Sequence, residues 1–357
     1  LQKQTDQPDI IFIGQSGGME ADIVRAAGLP FVGVVGGKFR RLPGAGLGRN
    51  LLQAGDILRN LRDLVLIAVG TVQCLWVLGR FRPQAVFNKA GPTGLPVGLA
   101  CRLLGIPMVI HEPDIIPGLS NRILSRWATA IAVGFPAKLY ADLPAAKLTY
   151  TGNPVQPAIL AGERAAAIQQ FRLNPKRPVV LVVGGSQGAA PINAAVMTIA
   201  PALLELAQII HVTGAHDYDH MVALADAAAI GPTRGYHAVP YLPIGQMGAA
   251  YQAATVVVSR AGASTIAELA AVAKPLVVLP NHLAAAHQVR NAEWLAANTA
   301  AVVLPSEDPA ALQGALTTLL SSPARQRELA AHLARCNRPD AADHLATLVR
   351  TAAERRA

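Results

Sequence analysis

The sequence predicts an α/β protein made of two doubly wound parallel sheets, each in its own lobe. Three observations lead there. Short β-branched or aliphatic runs recur, VVLVV at residues 179–183, VVV at 256–258 and LVVL at 276–279, and each is followed by a Gly- or Pro-containing turn. Continuous apolar runs of that length are what strands buried on both faces of a parallel sheet look like. The composition is 52% hydrophobic but only 4% aromatic, which suits helix-on-sheet layers rich in Ala, Val and Leu. Finally, 357 residues are long for one core and natural for two.

The elements follow in order. LQKQ at residues 1–4 reads as the end of a helix and DIIFIG at 9–14 as a strand, so a strand-and-helix unit is expected upstream of Leu1. Gly17, Gly18 and Glu20 lead into a helix ending near Gly28, and residues 29–35 form the next strand. Lys38, Arg40, Arg41, Arg49, Arg59 and Arg62 then crowd a Gly-containing region ahead of the apolar run LVLIAVGTVQCLWVL, residues 64–78. That run is shorter than the ~20 residues that span a bilayer, and Gln73 interrupts it. A buried helix is therefore expected, and the basic turn before it can face anionic lipid at the same time. Strands are expected at 85–88 and 108–111, the latter ending in His111, Glu112, Pro113 and Asp114, with helices to Gly105 and through Asn121. A strand at 130–133 and another at 149–151 precede Gly152, Asn153, Pro154 and Pro157, which mark a hinge. Domains of 1–153 and 154–357 follow. The second holds strands at 179–183, 209–213, 238–241, 256–258 and 276–279, and a helical tail from Asp308.

The formal charge of +9 calls for an anionic partner. Few aromatics and no recognisable nucleic-acid module argue against nucleic acid, which leaves a nucleotide diphosphate or an anionic membrane surface. The three cysteines are scattered and without ligand spacing, so reduced, buried thiols and no metal are expected. Two strand–Gly turn–helix units, at 179–189 and 256–272, aim free amides and the positive end of a helix dipole at one point, which suits phosphate. Ser264 and Thr265 open the second of these helices. Glu268, one turn in, either complements the dipole or accepts hydrogen bonds from ribose hydroxyls. GGSQG at 184–188 also fits the hydrolase elbow G-x-S-x-G, with Ser186 as nucleophile and His211 or His287 as its base. The pattern is short, and no acid-then-His order stands out at the ends of later strands. No G-x-G-x-x-G dinucleotide signature is present. His111, Glu112 and Asp114 sit at a strand's carboxyl end, where functional groups of parallel sheets gather.

GGMEADIV (17–24), HEPDIIPGLSN (111–121), GNPV (152–155), GGSQGA (184–189), VVVSRAGASTIAEL (256–269), KPLVVLP (274–280) and AHQVRNA (286–292), in this order, resemble the MurG family of peptidoglycan N-acetylglucosaminyltransferases. The resemblance implies a GT-B architecture, two Rossmann-like parallel-sheet domains facing a cleft. It implies inverting transfer of N-acetylglucosamine from UDP-N-acetylglucosamine to the C4 hydroxyl of the muramoyl sugar of undecaprenyl-linked lipid I, giving lipid II, without a cofactor. The setting it implies is peripheral, at the cytoplasmic face of the plasma membrane. Ser186 and Gln187 would lie against diphosphate and sugar, Ile244 would present backbone to uracil, and Ser264 and Thr265 would hold phosphate. Glu268 would take the ribose, and Gln288 and Asn291 the N-acetylglucosamine hydroxyls. On the acceptor side stand Lys89, Thr93, Asn121 and Asn153, with His111 and Glu112 as catalytic candidates, while Lys38, Arg40, Arg41 and Arg49 would face the membrane. The family's N-terminal GGTGGH-like loop has no counterpart in these residues, which makes Glu112 the expected general base. Gln156, Asp114, Pro92 and Ala286 replace the family's usual Arg, Asn, Tyr and acid. A UDP-sugar-binding protein without catalysis is the alternative.

Overall fold

The computed structural model describes residues 8–17, 20–37, 54–89, 91–185, 188–281 and 286–356, with backbone alone for 54–60. Two compact units are drawn from Leu1–Pro113, Pro117–Thr151 and Ala342–Ala357, and from Asp114–Ile116 and Gly152–Ala341.

In the first unit β1 (Phe12–Gln15), α1 (Glu20–Ala26), β2 (Phe31–Val34), α2 (Ala54–Phe81), β3 (Val86–Asn88), α3 (Gly94–Leu104), β4 (Met108–Glu112), α4 (Leu119–Leu124), β5 (Ala130–Val133) and β6 (Leu148–Tyr150) follow one another. All pairings are parallel. Among the described residues β1 pairs with β2 alone, and β3-β4-β5-β6 form a separate sheet. β4 is buried along its whole length, which carries His111 and Glu112 to its carboxyl end within the core.

The long apolar helix α2 differs from the expected core helix. Its residues Ile67, Cys74, Val77 and Leu78 are buried, whereas Leu61, Leu64, Val65, Val69, Val72 and Trp76 are exposed. Spacings of three and four put each set on its own face, so the helix is apolar on both sides but packs through only one. The segment Leu61–Phe81 is long and apolar enough to cross a membrane, and a third of its most apolar stretch is buried within the protein. Gln73, the polar break in the run, accepts a hydrogen bond from the Val35 amide (2.9 Å) just beyond β2. Burial pushes the Cys74 and Cys101 thiols up to about 12, so both stay protonated and unreactive.

The second unit contains α5 (Pro157–Leu160), α6 (Arg164–Phe171), β7 (Val179–Val183), α7 (Ala190–Leu206), β8 (Gln208–Val212), α8 (Tyr218–Ala227), β9 (Tyr236–Val239), α9 (Ile244–Ala253), β10 (Val256–Ser259), α10 (Ala263–Val272), β11 (Leu276–Val278), α11 (Ala286–Ala297), β12 (Val302–Val303), α12 (Pro309–Leu320) and α13 (Pro323–Ala334). After these, α14 (Ala341–Glu354) belongs from Ala342 onward to the first unit, where Arg356 reaches the Pro83 carbonyl at 2.7 Å. The six strands make one parallel sheet, ordered β12-β11-β10-β7-β8-β9. Val180, Val182, Val256, Val258 and Val277 pack with Ile192, Val196, Ile199 and Leu203 of α7 and with Leu312, Leu316 and Leu319 of α12. Each such side chain contributes roughly 1.5–3 kcal/mol by leaving water. β9 lies two residues earlier than the expected 238–241, because Gly235 turns the chain at φ 95° and Pro240 has no amide with which to continue a ladder.

Candidate functional site

The order of the second sheet creates a switch point. From β7 the chain winds outward through β8 to β9, then returns to β10 and winds the other way through β11 to β12. β7 and β10 are therefore neighbours whose following loops leave the same end of the sheet in opposite directions, with Val183 and Ser259 in register at that end. Ligands of open parallel sheets bind at such a point.

The turn after β7 depends on glycine. Gly185 and Gly188 have φ of +91° and +78°, and a Cβ on Gly188 would lie 2.5 Å from the Thr213 carbonyl oxygen. The turns after β7 and β10 end at the N-termini of α7 and α10. Among the described residues neither helix is capped by a side chain: the cap positions are Ala189 and Gly262. By contrast, α12 and α13 are capped in the ordinary way, Asp308 accepting from the Ala311 amide and Ser322 from the Arg325 amide. Most other helices lack a side-chain cap as well, so what sets α7 and α10 apart is their place at the switch point, where first-turn amides, Pro191 of α7 having none, face a common end of the sheet. The α10 helix starts at Ala263 rather than behind Ser264 and Thr265, so these two lie within its first turn, Ser264 exposed and Thr265 half-buried.

Glu268 is half-buried in the next turn, and its Oε2 accepts the Tyr251 hydroxyl at 2.9 Å. Burial raises its pKa, and the Tyr251 hydrogen bond opposes that rise. Ile244 is the first residue of α9, partly exposed, behind Pro243. Gln288 accepts the Asn281 amide through Oε1 (3.0 Å). Asn291 is 0% exposed, a departure from the expected role of holding sugar hydroxyls. Its Nδ2 donates to Asp114 Oδ1 (2.8 Å) and the Ala261 carbonyl (3.0 Å), and its Oδ1 accepts the Ile115 amide (3.2 Å). Both amide hydrogens are engaged, so Asn291 supports the turn ahead of α10 from behind.

His211 is no base. It is buried between β8 neighbours, with Nδ1 against the Tyr236 hydroxyl (2.8 Å) and Nε2 against Asn193 Oδ1 (3.0 Å). Burial lowers its pKa to about 3, so it stays neutral. Asn193, in α7, also donates to the Thr213 carbonyl and Asp217, which ties the loop after β8 to the helix behind the Gly turn. The hydrolase reading loses that base, and His287 lies half-buried on α11.

In the first unit Glu112 is 3% exposed. Its Oε2 accepts from the Gly118 amide (2.8 Å) and Asn121 Nδ2 (2.9 Å), while Asn121 also donates to the His111 carbonyl. So held, Oε2 of Glu112 braces the start of α4. His111 and Asn121 are buried with it, and Asn153, in the second unit, is buried as well. Lys89 is exposed and Thr93, ahead of the uncapped α3, half-buried. Asn88 holds the turn between them by donating to the Gly94 carbonyl at 2.8 Å. Among the described residues no cluster of three or more His, Cys, Asp or Glu is placed to hold a metal.

Comparison with known proteins decides the family. The family model for the glycosyltransferase family 28 N-terminal domain matches residues 1–133, and that for its C-terminal domain residues 179–345. The UDP-N-acetylglucosamine–N-acetylmuramyl-(pentapeptide) pyrophosphoryl-undecaprenol N-acetylglucosamine transferase of Exiguobacterium sp. is 34% identical over 355 residues, 98% of this chain and 92% of that protein. The protein of the same name from Treponema pallidum (strain Nichols) is 33% identical over 303 residues, 84% of this chain and 75% of its own. The chain belongs to glycosyltransferase family 28. Among solved structures, Acinetobacter baumannii MurG superposes with a TM-score of 0.69 at 26% identity, covering 96% of this chain and 91% of that one.

For a family 28 chain the switch-point geometry lies in the C-terminal domain model, and all of 184–291 falls within it. Ser186 and Gln187, and the basic residues Lys38, Arg40, Arg41 and Arg49, lie outside the described residues. Three residues that sequence reasoning missed brace the elements around the switch point. Tyr251 orients Glu268, and a lone Tyr in the Ala-rich helix GAAYQAA had to find a partner for its hydroxyl once buried. Arg260, buried directly after β10, bonds the Leu279 carbonyl and Glu307, joining the carboxyl ends of neighbouring strands. Asn193 is the third, legible only as a polar residue in a largely apolar helix.

Proposed function

We propose that this family 28 chain transfers N-acetylglucosamine, with inversion, from UDP-N-acetylglucosamine to the C4 hydroxyl of the muramoyl sugar of undecaprenyl-linked lipid I, forming lipid II. The observation that carries the reading is the pair of uncapped helix N-termini beside the β7/β10 switch point, with Glu268 one turn into the second. The diphosphate would meet the turn at 184–188, including Ser186 and Gln187, and the first turn of α10 with Ser264 and Thr265. Glu268 would hold the ribose, the Ile244 backbone the uracil, and Gln288, through its amide nitrogen, the sugar. In a direct displacement the acceptor oxygen bonds to the anomeric carbon as the bond to the β-phosphate oxygen breaks. Charge growing on the departing UDP is then stabilised by amides and dipoles already in place. The hydroxyl proton needs a base. Glu112 is engaged with Gly118 and Asn121, and with His111 and Asn121 is better read as shaping the acceptor side, together with Lys89, Thr93 and Asn153.

The exposed apolar face of α2, with Arg62 exposed beside it, supports peripheral docking on the anionic cytoplasmic face of the plasma membrane. Lys38, Arg40, Arg41 and Arg49 add charge of the right sign. A second reading, donor binding without transfer, is favoured by the inward engagement of Glu112. Transfer of radiolabelled N-acetylglucosamine to a lipid I analogue, run beside calorimetry with UDP, separates the two. Product supports the transferase, binding without product supports the second reading, and neither binding nor product contradicts both.

A further inference from the structure

We infer that Tyr251 is a positioning residue that makes this site prefer a ribonucleotide over its 2′- or 3′-deoxy counterpart, by holding Glu268 as a fixed pair of acceptors for a vicinal diol. The inference rests on the reading of Glu268 as the ribose-holding group.

Tyr251 stands on α9 and is 1% exposed, so its ring has no freedom to swing. Its hydroxyl donates to Glu268 Oε2 at 2.9 Å, across from α9 to α10. Glu268 is half-buried, and among the described residues it makes no other hydrogen bond or ion pair. A glutamate has three rotatable side-chain bonds, and one hydrogen bond from a rigid, buried partner removes most of that freedom. Among the described residues Oε1 is left as an acceptor, and Oε2 keeps a second lone pair.

The protonation state of the phenol favours the same arrangement. Burial and the neighbouring carboxylate raise the Tyr251 pKa well above its ordinary value, so the phenol always donates. Burial raises that of Glu268, and the phenol's hydrogen bond counters it. On balance burial prevails and the Glu268 pKa is raised, but the phenol's hydrogen bond works for the carboxylate, which accepts at both oxygens, whereas a protonated acid would turn one of them into a donor. Two hydroxyls on adjacent carbons need two acceptors held at a fixed spacing. Remove the phenol and the carboxylate can still be charged, but its two oxygens are no longer fixed together, and the advantage of the second hydroxyl shrinks.

Calorimetric titration with UDP, 2′-deoxy-UDP and 3′-deoxy-UDP tests this on the wild type, Tyr251→Phe, Glu268→Gln and the double variant. The wild type is expected to prefer UDP by on the order of tenfold, the scale of one charge-assisted hydrogen bond. Tyr251→Phe should reduce the preference to about threefold while leaving 2′-deoxy-UDP within about twofold of wild type, and should change nothing further in the Glu268→Gln background. If Glu268→Gln abolishes the preference and Tyr251→Phe leaves it intact, the inference fails and the reading of Glu268 stands. A uniform loss for all three nucleotides in Tyr251→Phe marks a structural role and also overturns the inference. If the wild type shows no preference, or Glu268→Gln retains it, the reading of Glu268 itself fails. Should Tyr251→Phe not fold, Glu268→Asp draws the carboxylate back from the phenol by one methylene, and the same loss of preference is expected; a preference retained there counts against the inference.

Discussion

Both units alternate strand and helix, but only the second closes the pattern into one sheet. Its order, β9-β8-β7-β10-β11-β12 read from one edge, would be repeated in the first unit by β2-β1 and β3-β4-β5 if a strand stood between β1 and β3. Among the described residues none does. The edges on either side of that position carry Phe12 and Phe87, 40% and 42% exposed, whereas β7 is buried throughout. The position is the one that, in the second unit, feeds the Gly turn and the first of the two helix ends at the switch point. The strand and helix that flank the Gly turn are thus described in the second unit, and among the described residues no strand stands at the matching position of the first.

Core deletions should give the largest contrast. Leu181→Ala in β7 is expected to cost about 3–4 kcal/mol, and Phe87→Ala in β3 about 1 kcal/mol or less, read from hydrogen exchange of the surrounding strands. Equal costs would mean that the β3 edge is covered in solution, and would break the comparison. Glycine replacements sharpen it at the level of the turns. Gly188→Ala combines a left-handed φ with a backbone collision, and should cost about 2–3 kcal/mol and weaken UDP binding at least roughly tenfold by calorimetry. Gly91→Ala in the first unit, at φ +85° with open space around it, should cost only about 1 kcal/mol of strain.

The pH response should also sit in the second unit. His211 has a depressed pKa in the folded state, about 3 against an ordinary 6.5, so the unfolded chain binds the proton first. The stability that depends on neutral His211 is present above pH 6.5 and falls as pH drops toward 3, by up to ~1.4 kcal/mol per pH unit. Burial lowers the His237 pKa too, in the same direction. His211→Gln should flatten that decline in hydrogen-exchange stability between pH 6 and 4, and an unchanged slope would assign it elsewhere. The smallest stability effect is expected at Trp76→Ser on the exposed face of α2, within about 0.5 kcal/mol, while flotation with vesicles containing anionic lipid should drop several-fold. Unchanged flotation would remove α2 from the membrane reading.

The strands were the most legible part of the chain. β5 and β7 lie at 130–133 and 179–183, as expected, because an uninterrupted apolar run bounded by turn residues admits few alternatives. The faces of α2 were not legible, since its exposed side is as apolar as its buried one and periodicity has nothing to separate. Among site residues, Glu268 and the Gly turn follow from local pattern. The roles of Asn291, His211 and Tyr251 depend on partners brought in by the fold, Asn291 meeting Asp114 from 177 positions away. Residue type alone marks such groups as polar and cannot tell a ligand contact from an internal brace.

The most direct test of the central claim is backbone amide shift mapping as UDP is titrated, with uridine as the control. Shifts concentrated at Gly185, Gly188, Ala190, Ala263, Ser264 and Thr265 that require the diphosphate are the expected result. The same shifts with uridine alone, or UDP shifts that spare both helix N-termini, would contradict it.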